Sequence, residues 1–206
     1  MKKLCKNCIY DSLNGTIKSF KQGEVIFREG APLDHIAMIN SGLVKVSKLF
    51  VSGEEKIFDI LGPREYVGLV AMLKGEDDFI ATATALSNVT LNEIHKSTVM
   101  TTYDSDDFFK DTCLNCTMTR MGTFQTQLFQ SANLDTEDKI LHILEYLAKK
   151  FGRKDDLLYT IHLPFTKTVL AGLIGIRRET LSRHLSSMLE EGLIDIEKNI
   201  YKFVGM

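Results

Sequence analysis

The sequence contains no long apolar run and no apolar segment beside its basic amino end. The longest apolar stretch, residues 67–73, is far short of the roughly 20 residues that a membrane-spanning helix needs. Residues 1–10 carry lysines, but the apolar region of about 7 to 15 residues that completes a signal peptide does not follow them. We therefore expect no membrane segment and a cytoplasmic protein, whose thiols are kept reduced.

An overall basic excess, common among proteins that bind nucleic acid, is also missing. The formal net charge is -2 over 206 residues, a length that suggests one or two domains. The charge is unevenly distributed, however. Between Pro164 and Leu189 four basic residues stand against the single acid Glu179, so positive charge is concentrated near the carboxyl end.

Cysteine is scarce but regularly placed. All four cysteines fall in CxxC pairs, Cys5 with Cys8 and Cys113 with Cys116. In a reducing compartment such pairs are typical of metal ligands or redox dithiols rather than of structural disulfides. An iron–sulfur cluster, a zinc ion and a disulfide switch are all compatible with this pattern. Because a long interval separates the two pairs, a fourth alternative is that neither pair has such a role.

The first half of the chain has the pattern of a β-structure. From Phe20 to about Ser97, short runs rich in β-branched and aromatic residues alternate with glycine-containing turns, which predicts an all-β sandwich, barrel or roll. The predicted strands are residues 24–27, 35–39, 43–46 and 56–61. The phosphate-binding patterns GxGxxG and GxxxxGK[ST] do not occur, so the glycines are interpreted as turn residues.

After Tyr103 the apolar spacing changes to that of a coiled coil. One helix is predicted over residues 107–132, and alternate steps of four and three define a seam that would pair with the same seam of a second copy. The seam residues are Leu114, Met118, Met121, Gln125, Leu128 and Ala132. Gln125 is the kind of polar seam residue that fixes register. An amphipathic helix packed within one subunit is the alternative.

A second domain is predicted to begin at a hinge over residues 133–135. Asp135 can cap a helix whose apolar face is formed by Ile140, Ile143, Leu144 and Leu147. Residues 152–156 are predicted as a polar loop and residues 159–163 as a strand. Residues 193–196 and 200–203 flank a turn near Lys198–Asn199, which predicts a small hairpin, or wing.

The stretch from Thr166 to Gly192 predicts a helix-turn-helix. Thr166 can cap a first helix ending near Ile174, Gly175 permits the turn, and a second helix begins near Arg178. Residues expected to pack the two helices together are Leu170, Ala171, Ile174, Ile176, Leu181 and Leu185.

The amino end of such a second helix enters the major groove of DNA, where arginine reads guanine and glutamate accepts from cytosine. The expected base contacts are Arg178, Glu179, Ser182 and Arg183. The expected phosphate contacts are Thr166, Lys167, Thr168, Arg177 and Thr180. His184 falls at an inward position, so we expect it to be half-buried rather than to contact DNA.

Two motifs in order resemble the CRP/FNR regulators, named for the cyclic-AMP receptor protein and the fumarate and nitrate reduction regulator. Residues 23–30 with Asp34 and residues 39–46 resemble the β-roll signature of this family, and residues 178–183 resemble its recognition helix. The resemblance implies a homodimeric transcription factor and not an enzyme, with an α+β fold: an N-terminal β-roll, or cupin-like jelly roll, a long central dimerisation helix and a C-terminal winged helix-turn-helix.

The domain limits expected from this resemblance are 1–103 for the sensory roll with its cysteine-containing tail, 104–133 for the dimerisation helix and 134–206 for the DNA-binding domain. The implied partners are double-stranded palindromic DNA, a second copy of the chain and RNA polymerase. The implied half-site contains a TGA core read by Glu179 and Arg183. Ser182 favours the TTGAT type and Arg178 the TGTGA type, so the choice between the two stays open.

Departures from the family pattern bear on the signal. Members that bind cyclic AMP carry a glutamate after the glycine corresponding to Gly68 and an Arg-Ser pair further on, whereas Leu69, Phe79 and Ile80 stand at those positions here. Burying a cyclic phosphate without a cation or donors costs several kcal/mol, so we expect an apolar effector pocket with no cyclic-nucleotide response.

Oxygen-sensing members hold an iron–sulfur cluster with amino-terminal cysteines plus one in the roll, where this chain has Asn92. Cys113 and Cys116 lie away from the predicted seam, so their face of the helix should look toward the subunit's own roll. There the tail with Cys5 and Cys8 could meet them. Heme, held by a histidine, is a further sensor option in the family, but nothing selects one histidine as a ligand.

Two other classes of function compete with a DNA-binding regulator. A dithiol oxidoreductase would use a CxxC motif, but its usual βαβ setting is missing. A ligand-binding module that signals only through protein contacts would not need the helix-turn-helix.

Overall fold

The amino-terminal half of the chain is a roll of antiparallel strands. The protein is described by a computed structural model that covers residues 13–51, 53 and 55–205. The strands of the roll are β1 (Thr16–Phe20), β2 (Val25–Phe27), β3 (His35–Ser41), β4 (Val44–Leu49), β5 (Glu55–Leu61), β6 (Tyr66–Val67), β7 (Thr82–Ala85) and β8 (Val89–His95). They form two four-stranded sheets, β1-β8-β3-β6 and β2-β7-β4-β5. The four strands expected in this half are thereby confirmed.

A core shared by the two sheets holds the roll together. Alternate residues of β3, β7 and β8 point into this core, as the pleat of a strand requires. The buried members are Ala37, Ile39, Val44, Leu61, Val67, Ala83, Ala85, Val89 and Leu91. Because β7 contributes only the small residues Ala83 and Ala85 to this core, larger residues of the facing sheet have room to pack against it.

One helix lies within the roll, between β6 and β7, and two more come after its last strand. These are α1 (Leu69–Lys74), α2 (Lys96–Ser105) and α3 (Asp107–Asn133). The Asp106 carboxylate accepts a hydrogen bond from the Phe109 N–H at 3.1 Å, which satisfies one of the free donors at the start of α3. The long helix predicted for residues 107–132 is confirmed.

One face of α3 is buried in a second core of the roll. Phe109, Cys113 and Cys116 are buried there, in one cluster with residues from β3, β6 and α1. Further along, the Arg120 guanidinium donates a hydrogen bond to the Tyr66 carbonyl at 2.8 Å. The expectation that the cysteine face of this helix looks toward its own roll is confirmed.

The carboxyl-terminal part contains a winged helix-turn-helix. Its elements are α4 (Thr136–Phe151), β9 (Arg153–Asp155), β10 (Leu158–His162), α5 (Lys167–Ile174), α6 (Arg178–Glu190), β11 (Ile194–Glu197) and β12 (Ile200–Val204), with sheet order β11-β12-β10-β9. The Asp135 carboxylate caps α4 by accepting from the Asp138 N–H at 2.9 Å. The predicted apolar face of this helix is buried, so the cap and the face are both confirmed.

One local prediction is wrong. Residues 152–156 were expected to form a polar loop, but Arg153–Asp155 form strand β9, paired with β10. All three residues of β9 are exposed, so the strand has no apolar alternation that would reveal it in the sequence.

The chain divides into two compact units that meet between Phe124 and Gln125. Helix α3 contributes residues to both units. No helix in the described part of the chain is both long enough and apolar enough to cross a membrane.

The turn between β3 and β4 requires glycine for two reasons. Gly42 has a φ of +87°, in the left-handed region that disfavours a side chain. A Cβ at this position would also clash with the Asn88 carbonyl and lie 2.9 Å from the Val89 Cα. Gly30 has a φ of +75° but open space around it, so it isolates the first reason from the second.

We expect Gly30→Ala to lower the free energy of unfolding by about 1 kcal/mol, because only the backbone conformation is strained. Gly42→Ala should lower it by about 2 kcal/mol or more, because the β8 backbone must also move. Urea denaturation of both variants measures the difference. Equal losses would contradict the close approach of this turn to β8.

Candidate nucleic-acid interface and cysteine site

Helices α5 and α6 form the predicted helix-turn-helix around a small apolar core. Leu170, Ala171 and Ile174 of α5 are buried, as are Leu181, Leu185 and Met188 of α6. Ile176, expected in this core, is only half-buried, and Met188 was not predicted. At the turn, the N–H groups of Gly175 and Ile176 both donate to the Ala171 carbonyl, at 2.9 and 3.0 Å. The φ of Gly175 is +83°, so glycine is required there by the backbone.

The amino end of α6 presents charged side chains to solvent. Arg178, Glu179 and Arg183 are exposed, and Ser182 is half-buried. Within the described part of the chain, neither Arg178 nor Arg183 forms an ion pair, so both guanidinium groups keep their donors available. Exposed guanidinium and carboxylate groups are the kinds of donors and acceptors that can pair with base edges in a major groove.

The candidate phosphate contacts surround the amino ends of both helices. Thr166 caps α5 through its backbone, but its side chain makes no capping hydrogen bond, and Lys167 and Thr168 are exposed in the first turn. Arg177 is exposed at the N-cap of α6, and Thr180 is half-buried. Helix amino ends carry partial positive charge and unpaired N–H groups, which favours phosphate oxygens.

The predicted turn of the wing carries an exposed basic residue, Lys198. Lys198 and Asn199 have φ values of 47° and 65°, and they form the two-residue turn between β11 and β12. The Asn199 carbonyl accepts a hydrogen bond from the Leu163 N–H at 3.0 Å, which holds the turn beside the segment that leads into α5. The exposed Lys198 is therefore carried near the chain segment that precedes Thr166.

His184 is half-buried, as expected, but its partner is polar. The Nδ1 atom lies 3.0 Å from a carboxylate oxygen of Glu137, near the start of α4. The sequence predicted only that His184 packs half-buried, and it did not predict the contact with Glu137.

The predicted seam of α3 is exposed along the single chain. The exposed fractions are 48% for Leu114, 68% for Met118, 55% for Met121 and 55% for Leu128, and Gln125 is exposed as well. The side chain of Ala132 lies outside the described part. Phe124 and Phe129, which are also exposed, widen the apolar face on either side of Gln125 and were not predicted.

The two described cysteines differ in their chemistry. Cys113 is a free thiol with 1% of its surface exposed, and burial raises the pKa of this thiol to about 11. Cys116 is disulfide-bonded. Cys5 and Cys8 lie outside the described residues. Among the residues that are described, no three His, Cys, Asp or Glu side chains come together as a metal site would require.

Three of the four candidate effector-pocket residues come together. Gly68 has a φ of +88°, and a Cβ there would lie 3.0 Å from the Phe79 ring, so Phe79 fills the space beside it. Phe79 stacks on Phe27 with ring centroids 4.3 Å apart, and Leu69 is buried in the same cluster. Ile80 is 47% exposed and does not join them. The contact of the Arg120 guanidinium with the carbonyl of Tyr66, a member of this cluster, was not predicted.

Comparison with known proteins covers both units. Residues 17–106 match the model of a cyclic nucleotide-binding domain, and residues 138–202 match that of a Crp-like helix-turn-helix domain. The chain is 26% identical to a global nitrogen regulator of Synechococcus elongatus, over 88% of this chain and 82% of that protein.

A second relative is a CRP-like cAMP-activated global transcriptional regulator of Mycobacterium tuberculosis, 23% identical over 86% of this chain and 79% of that protein. The solved structure of FixK2 from Bradyrhizobium japonicum has the same fold, with a TM-score of 0.81, 17% identity and 93% coverage of both chains. Proteins of this kind regulate transcription and are not enzymes. With a roll, a long helix and a winged helix-turn-helix in the family's order, the chain belongs to the CRP/FNR family of transcription regulators.

Proposed function

We propose that this chain acts as a homodimer on palindromic DNA and that its DNA affinity responds to the state of its cysteines rather than to a cyclic nucleotide. The observation that carries the DNA-binding part is the exposed end of α6, where Arg178, Glu179 and Arg183 stand on a helix fixed by a buried core. The candidate contacts to phosphates surround the same end of the motif. RNA polymerase is its proposed protein partner, and the cytoplasm is its proposed location.

The exposed face of α3 supports the dimer. An apolar row at steps of four and three is stable in water only when it is covered, and a second copy covers it with the same row. In such a pair, two recognition helices about 34 Å apart reach successive major grooves of a palindrome. Gln125 would then fix the register of the two helices.

The packing beside Gly68 argues against a cyclic nucleotide. Phe79 already occupies the space beside Gly68 and stacks on Phe27. The Arg120 guanidinium, which could attract a phosphate, is engaged with the Tyr66 carbonyl. Binding a cyclic phosphate would therefore require displacement of an aromatic pair and of a hydrogen bond.

The contrast between the two described cysteines favours thiol–disulfide exchange over a metal cluster. A tetrathiolate site would need the Cys113 thiolate, whose formation is opposed by burial that raises its pKa to about 11. Cys116, by contrast, is already disulfide-bonded. We propose that the amino-terminal CxxC pair supplies its partner, Cys5 or Cys8, and that nearby Lys2, Lys3 and Lys6 favour the thiolate there.

Formation of this disulfide from two thiols needs a two-electron oxidant, which is either a peroxide or a small disulfide. Two thiols lose two electrons and two protons as the S–S bond forms. A peroxide of the form H₂O₂ takes them up and leaves as two molecules of water, whereas a small disulfide leaves as two thiols. A bond from the tail to Cys116 would restrain the roll-facing side of α3, which is the helix that continues into the second unit.

Replacing a base-reading residue should change specificity, whereas replacing a phosphate contact should not. We expect Arg183→Ala to weaken operator binding by about 1 to 3 kcal/mol per half-site and to relax base preference. Lys167→Ala should weaken binding to operator and random DNA alike and reduce the salt dependence. Fluorescence titration of both DNA types measures this. Equal losses on both DNA types for Arg183→Ala would contradict its assignment.

Placing a charge in the seam should separate the subunits. Met121→Lys sets two ammonium groups opposite each other in an apolar interface, so we expect monomers in sedimentation velocity experiments. Thr126→Lys adds the same charge to an exposed position one residue past Gln125 and off the seam, and it should remain dimeric. An unchanged Met121→Lys dimer would place the interface elsewhere.

Replacing the two cysteines of α3 should give different results. Oxidation of the wild type should change operator affinity by about fivefold or more, a typical size for coupling between two sites. Cys116→Ser should abolish the change, and Cys113→Ala, the matched control from the same CxxC, should retain it. Operator titrations under reducing and oxidising conditions measure this, and cyclic AMP should leave every affinity unchanged. A full response in Cys116→Ser would show that its thiol is not the sensor.

A further inference from the structure

A polar pair joins the recognition helix α6 to the beginning of α4. The Nδ1 atom of His184 and the Oε1 atom of Glu137 are 3.0 Å apart, and 26% and 34% of the two side chains is exposed. Glu137 is the second residue of α4, directly after Thr136 and two residues after the capping Asp135. Both partners lie in the same compact unit, so this contact belongs to its internal packing.

The pair occupies positions where an apolar contact would be expected. On α6, His184 lies three residues after the buried Leu181 and four before the buried Met188. On α4, Glu137 lies three residues before the buried Ile140 and seven before the buried Leu144. Residues at these spacings share a face of a helix. The pair therefore lies on the buried faces of α4 and α6 and adds one polar contact beside their apolar residues.

We propose that the His184–Glu137 pair is a positioning device that fixes the rotation of the recognition helix and thereby holds Arg183 in the orientation that reads DNA. This inference rests on the proposed function, because it assigns the pair a role in specific DNA binding. His184 and Glu137 are positioning residues and do not themselves contact the bases.

The geometry explains why a hydrogen bond differs here from an apolar contact. Apolar packing is non-directional, so a helix can turn slightly with little loss, whereas a hydrogen bond fixes the direction between two named atoms. Arg183 directly precedes His184. At the side-chain radius of a helix, a rotation of about 20° would move the Arg183 side chain by about 2 Å. Bidentate reading of guanine does not tolerate such a displacement.

The link to α4 also determines what the recognition helix is held against. Because Glu137 lies in the first turn of α4, α6 is tied to the point at which the chain leaves α3 through residues 133–135. The pair therefore holds α6 against the first turn of α4, in addition to the apolar contacts that α6 makes with α5.

The experiment uses the full-length chain and an operator selected from random DNA by the wild type. His184→Leu removes the hydrogen bond and keeps an apolar side chain at an inward position. His184→Asn places an amide nitrogen where Nδ1 lies and keeps the bond. Glu137→Ala and the double variant His184→Leu/Glu137→Ala complete a double-mutant cycle.

We expect His184→Leu and Glu137→Ala each to weaken operator binding about fivefold per half-site, the effect of one hydrogen bond, and to leave random DNA binding unchanged. The double variant should be no weaker than either single variant, and His184→Asn should bind as the wild type does. Thermal unfolding identifies the folded variants, so that a loss of affinity is not a loss of fold.

Three outcomes would overturn the inference. One is a folded His184→Leu variant with wild-type operator affinity. Another is an equal loss on operator and random DNA. The third is tighter binding by Glu137→Ala to both DNA types, which would show that the pair acts only through its charge near a polyanion. A wild type that selects no operator from random DNA would instead contradict the proposed function itself.

Discussion

The contact between α3 and the roll is the interaction on which the other features depend. Phe109, Cys113 and Cys116 bury one side of this helix in the core that also contains Leu69 and Phe79. A helix held on one side has its opposite side fixed as well, so the apolar residues Leu114, Met118 and Met121 of the same unit are left exposed. The buried cysteine Cys116 and the exposed apolar residue Met118 therefore lie on one helix, only two positions apart.

The two cysteines of α3 show how burial separates residues that look equivalent in sequence. Cys113 behaves as a small apolar core residue, because its surroundings oppose the thiolate and raise its pKa. Cys116, three residues later, is disulfide-bonded. A CxxC on a helix is therefore one free packing residue and one disulfide-bonded residue here, and the motif alone does not distinguish the two.

Much of the architecture was predictable from the sequence because local signals agreed with it. The periodicity of α3, the Asp135 cap and the glycine at position 175 each encode a structure within a few residues. The features that were missed depend on distant contacts. His184 meets Glu137 across 47 positions, and Arg120 reaches Tyr66 across 54. Ile80, assigned to the pocket by the family resemblance, is exposed. Strand β9 was missed because its charged residues form a strand only through pairing with β10.

That charged strand has a consequence for crowding. β9 ends one side of the winged sheet, and its residues Arg153, Lys154 and Asp155 are all exposed. An edge strand offers unpaired backbone groups to any other strand that approaches, and charged side chains make such pairing unfavourable. Two copies of this sheet can therefore come close to each other without joining edge to edge through β9.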